Sequence, residues 1–127
     1  MNILLDTHAL IWYVENSVHM PKGIVNLIED PENNKFVCAI SLWEIAIKTN
    51  LNKLGMSLSL DELIDEISGY DLTVLPIEGE HLKGIAKLPF IHKDPFDRLI
   101  VATAIAEELT IITADENMQK YDVSWLW

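Results

Sequence analysis

Apolar runs too short to be helices alternate along the whole chain with longer stretches of helical periodicity, and this alternation restricts the fold to the α/β class. The runs occupy residues 2–5, 36–40, 72–75 and 110–113, with residues 123–125 as a candidate edge strand. Between them the sequence predicts helices over residues 8–14, 21–30, 41–50, from Ser59, over 78–87 and over 94–108, with a helical turn at 116–120. The boundaries carry their own chemistry. Pro21 and Pro95 stand at helix openings, Asp94 is an N-cap, and Ser41-x-x-Glu44 and Ser59-x-x-Glu62 have capping-box form.

Acidic residues sit where these runs end. Asp6 follows the first, Glu44 the second and Asp115 the fourth, while Asp97 lies at the start of the helix before the last. In a parallel α/β sheet the carboxyl ends of the strands share one edge, where ligands bind, so the four acids are expected to meet. At about 4 Å and an effective dielectric near 20, each like-charged pair repels by roughly 4 kcal/mol. A hard divalent cation is the simplest compensation, because Mg²⁺ and Mn²⁺ prefer oxygen ligands. Each acid taken alone also has an ordinary structural role. Asp6 can cap the first helix, Glu44 can close the Ser41 capping box, Asp97 can face the helix dipole, and Asp115 can open a turn. On local sequence the cap is the better account of Glu44, and Asp94 reads as a cap rather than a ligand.

A chain of 127 residues, 50% apolar, supports one domain over residues 1–127 with a proper core. Cys38, the single cysteine, excludes an intrachain disulfide and reads as a buried inert thiol. No leader pattern is visible, and apolar stretches such as residues 99–106 are too short to span a bilayer, so no membrane and a cytoplasmic location are expected. The net charge of −11 argues against a basic footprint for nucleic acid. Such a substrate would have to be held locally, by metals and by Lys48, Lys93 and Arg98. Lys48, four residues after Glu44, suits an intrahelical ion pair better than a phosphate contact. Arg98, beside Asp97, can meet RNA or a carboxylate. The acidity also suits a basic protein partner. His8, His19, His81 and His92 lack metal-ligand spacing and read as surface or loop residues, with His8 and His92 kept in view beside proposed ligands. Residues 9–14 form an apolar, buried helix, although Trp12, Tyr13 and Trp43 could line a partner groove. The terminal Trp125-Leu126-Trp127 either packs back or joins an interface.

Asp6-Thr7-His8-Ala9-Leu10-Ile11, Ser41-Leu42-Trp43-Glu44-Ile45, Asp94-Pro95-Phe96-Asp97-Arg98-Leu99-Ile100 and Thr113-Ala114-Asp115 resemble the successive motifs of PIN-domain proteins, in particular toxin ribonucleases of VapC type. The resemblance covers nearly the whole chain in the right order. It implies a three-layer α/β/α fold around a parallel sheet of four or five strands. It also implies that Asp6, Glu44, Asp97 and Asp115 hold Mg²⁺ or Mn²⁺, with Thr113 as the hydroxyl residue near the last acid. Met118 stands where the family often has an aromatic.

The resulting expectation is a metal-dependent endoribonuclease that hydrolyses RNA by metal-activated water. The resemblance adds the role of toxin in a toxin–antitoxin pair, a small antitoxin protein as inhibitor, and a homodimer. One rival is a catalytically silent PIN-like module that binds only protein. Another is a phosphoacceptor signalling domain, but residues 1–5 supply no acidic partner for Asp6 and Lys120 is poorly placed for that chemistry.

Overall fold

The computed structural model describes residues 1–51 and 54–127. Five strands, β1 (Asn2–Leu5), β2 (Asn34–Cys38), β3 (Thr73–Leu75), β4 (Thr110–Ile112) and β5 (Trp125–Leu126), form one sheet in the order β3-β2-β1-β4-β5. Every pairing is parallel. The helices are α1 (Thr7–Val14), α2 (Lys22–Glu29), α3 (Ala39–Asn50), α4 (Leu60–Glu66), α5 (Gly79–Lys87) and α6 (Pro95–Ala106).

The central strand β1 shows why three layers form. Ile3 and Leu5 enter a core with Leu10, Ile28, Ile45 and Leu63, whereas Leu4 enters a second core with Ile100, Val101 and Ile111. Successive strand side chains point to opposite faces, so an unbroken apolar strand needs helices on both sides. The chain runs outward from β1 through β2 to β3, then returns to place β4 and β5 on the other side of β1. The crevice beyond β1 and β4 is thus the topological switch point, where open α/β sheets bind ligands.

Several expected boundaries hold. Pro21 opens α2, Asp94 caps α6 with Pro95 in its first turn, and Ser59 and Glu62 complete a capping box on α4. The C-terminal segment packs back, because β5 pairs with β4 and the Trp127 ring lies 5.6 Å from that of Trp12. Cys38 is buried, and desolvation pushes its thiol up to about 11.

Two expectations are corrected. The helix after β2 begins at Ala39 and not at Ser41, so Ser41 is no N-cap and Glu44 closes no capping box. The pairing explains this: Val37 is opposite Leu5 and Cys38 opposite Leu75, the last residues of the two neighbouring strands, so Ala39 and Ile40 have no strand to join. His81 is no surface residue, being 2% exposed. Its Nδ1 accepts from the Glu78 backbone N–H at 3.2 Å and its Nε2 meets Glu107 Oε1 at 2.8 Å, which ties α5 to the end of α6. The accepting Nδ1 puts the ring proton on Nε2, so this trio with Glu78 and Glu107 is a structural clamp.

Candidate active site and metal centre

The last turn of β1 delivers Asp6 into the switch-point crevice, where it is 3% exposed. Its carboxylate both caps α1, Oδ1 accepting from the Ala9 N–H at 2.7 Å, and accepts from Thr113 Oγ1 through Oδ2 at 2.5 Å. Burial raises its pKa, and these two bonds offset only part of that rise. The cap and ligand readings of Asp6 are therefore compatible, since each carboxylate oxygen retains a further lone pair. Thr113 is fully buried and also accepts from the Asp115 N–H at 3.0 Å. Its hydroxyl orients two acids, Asp6 and Asp115, from a position closed off from solvent.

Glu44 arrives from α3, one turn after the helix start, and is 2% exposed. Its oxygens accept from Thr7 Oγ1 at 2.7 Å and from Lys48 Nζ at 2.5 Å. Lys48 is thus an intrahelical partner of Glu44. Thr7 Oγ1 is also 3.0 Å from Ser41 Oγ, so the Ser41 hydroxyl supports Thr7 in place of a helix cap.

Asp97 occupies the third position of α6, behind the Asp94 cap. Burial first, then the negative charges of Asp94, Glu44 and Asp6, push its carboxyl up to about 7. Asp115 behaves oppositely. Burial would raise it, but a hydrogen bond from His92 and the N–H groups of Met118 and Asn117 together hold it low. His92 Nε2 stands 3.0 Å from Asp97 Oδ2 and 3.1 Å from Asp115 Oδ2. A cavity of about 200 Å³ lined by Asp6, His8, Trp12, Ala114 and Asp115 opens beside these groups.

Arg98 is engaged elsewhere, by backbone carbonyls, a hydroxyl and an aromatic ring. It is buried, its guanidinium donating to the Pro89, Ile85 and Leu88 carbonyls and to Tyr121 Oη, with the Phe90 ring at 4.3 Å. One residue along a helix turns the side chain by about 100°, so a neighbour of Asp97 faces the loop after α5 instead. Sequence reasoning held His92 only in reserve. The signal was its place two residues before the Asp94 cap, from which the ring can accept the Asp94 backbone N–H, here at 3.1 Å.

The donor set suits a hard cation: carboxylates from four separate elements, one of them raised to about 7 by burial and then by its neighbours' negative charge.

The PIN domain family model matches residues 3–124. The chain belongs to the PIN-domain family. Ribonuclease VapC22 of Mycobacterium tuberculosis is 24% identical over 119 residues, covering 94% of this chain and 91% of that protein. Among solved structures, VapBC2 from Rickettsia felis, bound to a DNA fragment from their promoter, aligns with a TM-score of 0.74 at 16% identity, covering 99% of this chain and 98% of that one. VapBC-1 from nontypeable Haemophilus influenzae aligns with a TM-score of 0.68 at 20% identity, covering 99% and 97% of the two chains. At such identities the structural likeness speaks for the fold, and it agrees with the five-stranded parallel sheet. In this PIN domain no helix among the described residues is long and apolar enough to cross a membrane.

Proposed function

We propose that this PIN domain is a single-domain, divalent-metal-dependent endoribonuclease, the toxin of a toxin–antitoxin pair, acting in the cytoplasm as a homodimer and blocked by a small protein. The observation that carries the reading is Asp97, whose carboxyl is pushed up to about 7 by burial first and then by the negative charges of Asp94, Glu44 and Asp6. Asp6, Glu44, Asp97 and Asp115 would hold Mg²⁺ or Mn²⁺. Such an ion supplies an activated water near neutral pH and charge stabilisation at the phosphate. The chain's own residues prepare the place: Thr113 fixes the Asp6 and Asp115 ends of the cleft, Thr7 and Lys48 fix Glu44, and the Asp94 cap sets Asp97 at the mouth of α6. The names of the VapC22 ribonuclease and of the VapBC assemblies support the substrate class and the inhibitor.

The test is cleavage of a single-stranded RNA pool by purified protein freed of any partner. Cleavage with Mn²⁺ or Mg²⁺ that stops on adding EDTA, and that Asp97→Asn abolishes, is the expected result. Metal-independent cleavage would contradict the metal role, and no cleavage of any RNA would favour the silent protein-binding module.

A further inference from the structure

His92 stands among the acids of the cleft without a role in the four-acid pattern, and three bonds hold it there. Its backbone N–H donates to Tyr121 Oη at 2.8 Å, its Nδ1 accepts from the Asp94 backbone N–H at 3.1 Å, and its Nε2 reaches both Asp97 Oδ2 at 3.0 Å and Asp115 Oδ2 at 3.1 Å. A ring nitrogen that accepts from an N–H carries no proton of its own. The ring proton is therefore on Nε2, where it is donated to Asp115 Oδ2 with Asp97 Oδ2 beside it. His92, Asp97 and Asp115 lie close enough together to suggest a three-residue metal set, their candidate atoms all within 4.8 Å of one another. The tautomer contradicts that assignment, because a nitrogen bearing a proton has no lone pair for a cation. Ligation through Nε2 would first require the ring to give up its bond from Asp94.

We propose that His92 is the cleft's resident donor, its Nε2–H bonded to Asp115 beside Asp97 in the metal-free protein and competing with a divalent cation for the Asp115 carboxylate instead of ligating it. The inference rests on the metal-centre reading above. It explains how a partly buried pair of carboxylates is tolerated before a cation arrives: a hydrogen bond from a rigidly held donor to a charged acceptor stabilises more than one between neutral groups. It also makes His92 a positioning residue, because its ring, bonded to Asp115 and in contact with Asp97, sets the spacing of two carboxylates borne on different elements, α6 and the turn after β4. When a cation takes these oxygens the bond is lost, so the measured metal affinity is the intrinsic affinity less this competition.

The experiment is calorimetric titration of Mn²⁺ alone into wild type, His92→Ala and His92→Gln, with the metal-free Tm of each and no RNA present. The alanine variant is expected to melt lower without metal yet bind Mn²⁺ tighter, by about tenfold or more, the factor that loss of one competing bond to a charged group implies. Glutamine, which restores an N–H donor, is expected to stay near wild type in both measurements. His92→Asn, polar but too short to reach the carboxylates, should behave like alanine and serves if the alanine chain does not fold. Weaker Mn²⁺ binding in the alanine or asparagine variant makes His92 a ligand and overturns the proposal, and so does unchanged binding. Wild type that binds no Mn²⁺ defeats the metal centre and this proposal together. Wild type that binds Mn²⁺ but cleaves no RNA defeats only the nuclease reading.

Discussion

Glu44 is buried on α3 with Thr7 and Lys48 as partners and closes no capping box. Glu44→Gln keeps an oxygen for the Thr7 hydroxyl but removes the charge that Lys48 and a cation require. The expected outcome is a folded chain whose RNA cleavage falls by at least about 10- to 100-fold, the loss typical even of a group one step removed from a metal. Full activity in that variant would remove Glu44 from the site. Asp97 makes a separate prediction about pH. Its folded-state carboxyl is raised from 3.8 to about 7, so the stability it contributes is fully present below about pH 4 and is lost as pH rises through about 7. Metal-free wild type should therefore lose Tm over that interval relative to Asp97→Asn, which cannot titrate there. Parallel Tm-against-pH curves for the two proteins would show that the repulsion at Asp97 is absent.

At the scale of elements, the two Ser-x-x-Glu segments look alike in sequence and differ in the fold. Ser59 caps α4, its Oγ accepting from the Glu62 N–H at 3.1 Å while Glu62 reaches back to the Ser59 N–H at 3.2 Å. Ser41 lies within the first turn of α3, its Oγ beside Thr7 Oγ1. Ser59→Ala should thus cost about 1 kcal/mol, as loss of an N-cap does, and loosen amide exchange at the start of α4. Ser41→Ala should leave exchange at the start of α3 unchanged, because no cap is removed. Faster exchange across residues 39–42 in that variant would restore the capping-box account. Helix starts with Pro or an exposed cap were legible because their signals are local. The start of α3 was not, because it is set by where the neighbouring strands end.

For the whole molecule, the proposed four-carboxylate centre would make the native state a better binder of a divalent ion than the unfolded chain, in which these acids are dispersed. Mn²⁺ at about a hundred times its Kd should raise stability by about 2.7 kcal/mol. Thermal melts with and without Mn²⁺ read this directly, and Asp6→Asn combined with Asp97→Asn should raise the metal-free Tm while removing the response. A response that survives in the double variant would place the ion elsewhere in the molecule. Arg98 belongs to the same scale. Its buried donors join α6 to the carbonyl of Ile85 in the last turn of α5 and to that of Pro89 in the loop after it, so its truncation should act on stability and not on affinity for RNA.

The α/β class and the parallel sheet followed from the sequence alone, as did the expectation that Asp6, Glu44, Asp97 and Asp115 share one edge. Strand and helix periods are local, and a parallel sheet brings the ends of its strands together whatever the details of packing. The tertiary structure decided which partners each polar group takes: Thr113 buried against Asp6, Arg98 turned to backbone carbonyls, His81 clamped to Glu107, and His92 set between Asp97 and Asp115. Those assignments depend on distances between residues far apart in the chain, and a hydrogen bond a few tenths of an ångström too long is lost, so no local pattern encodes them.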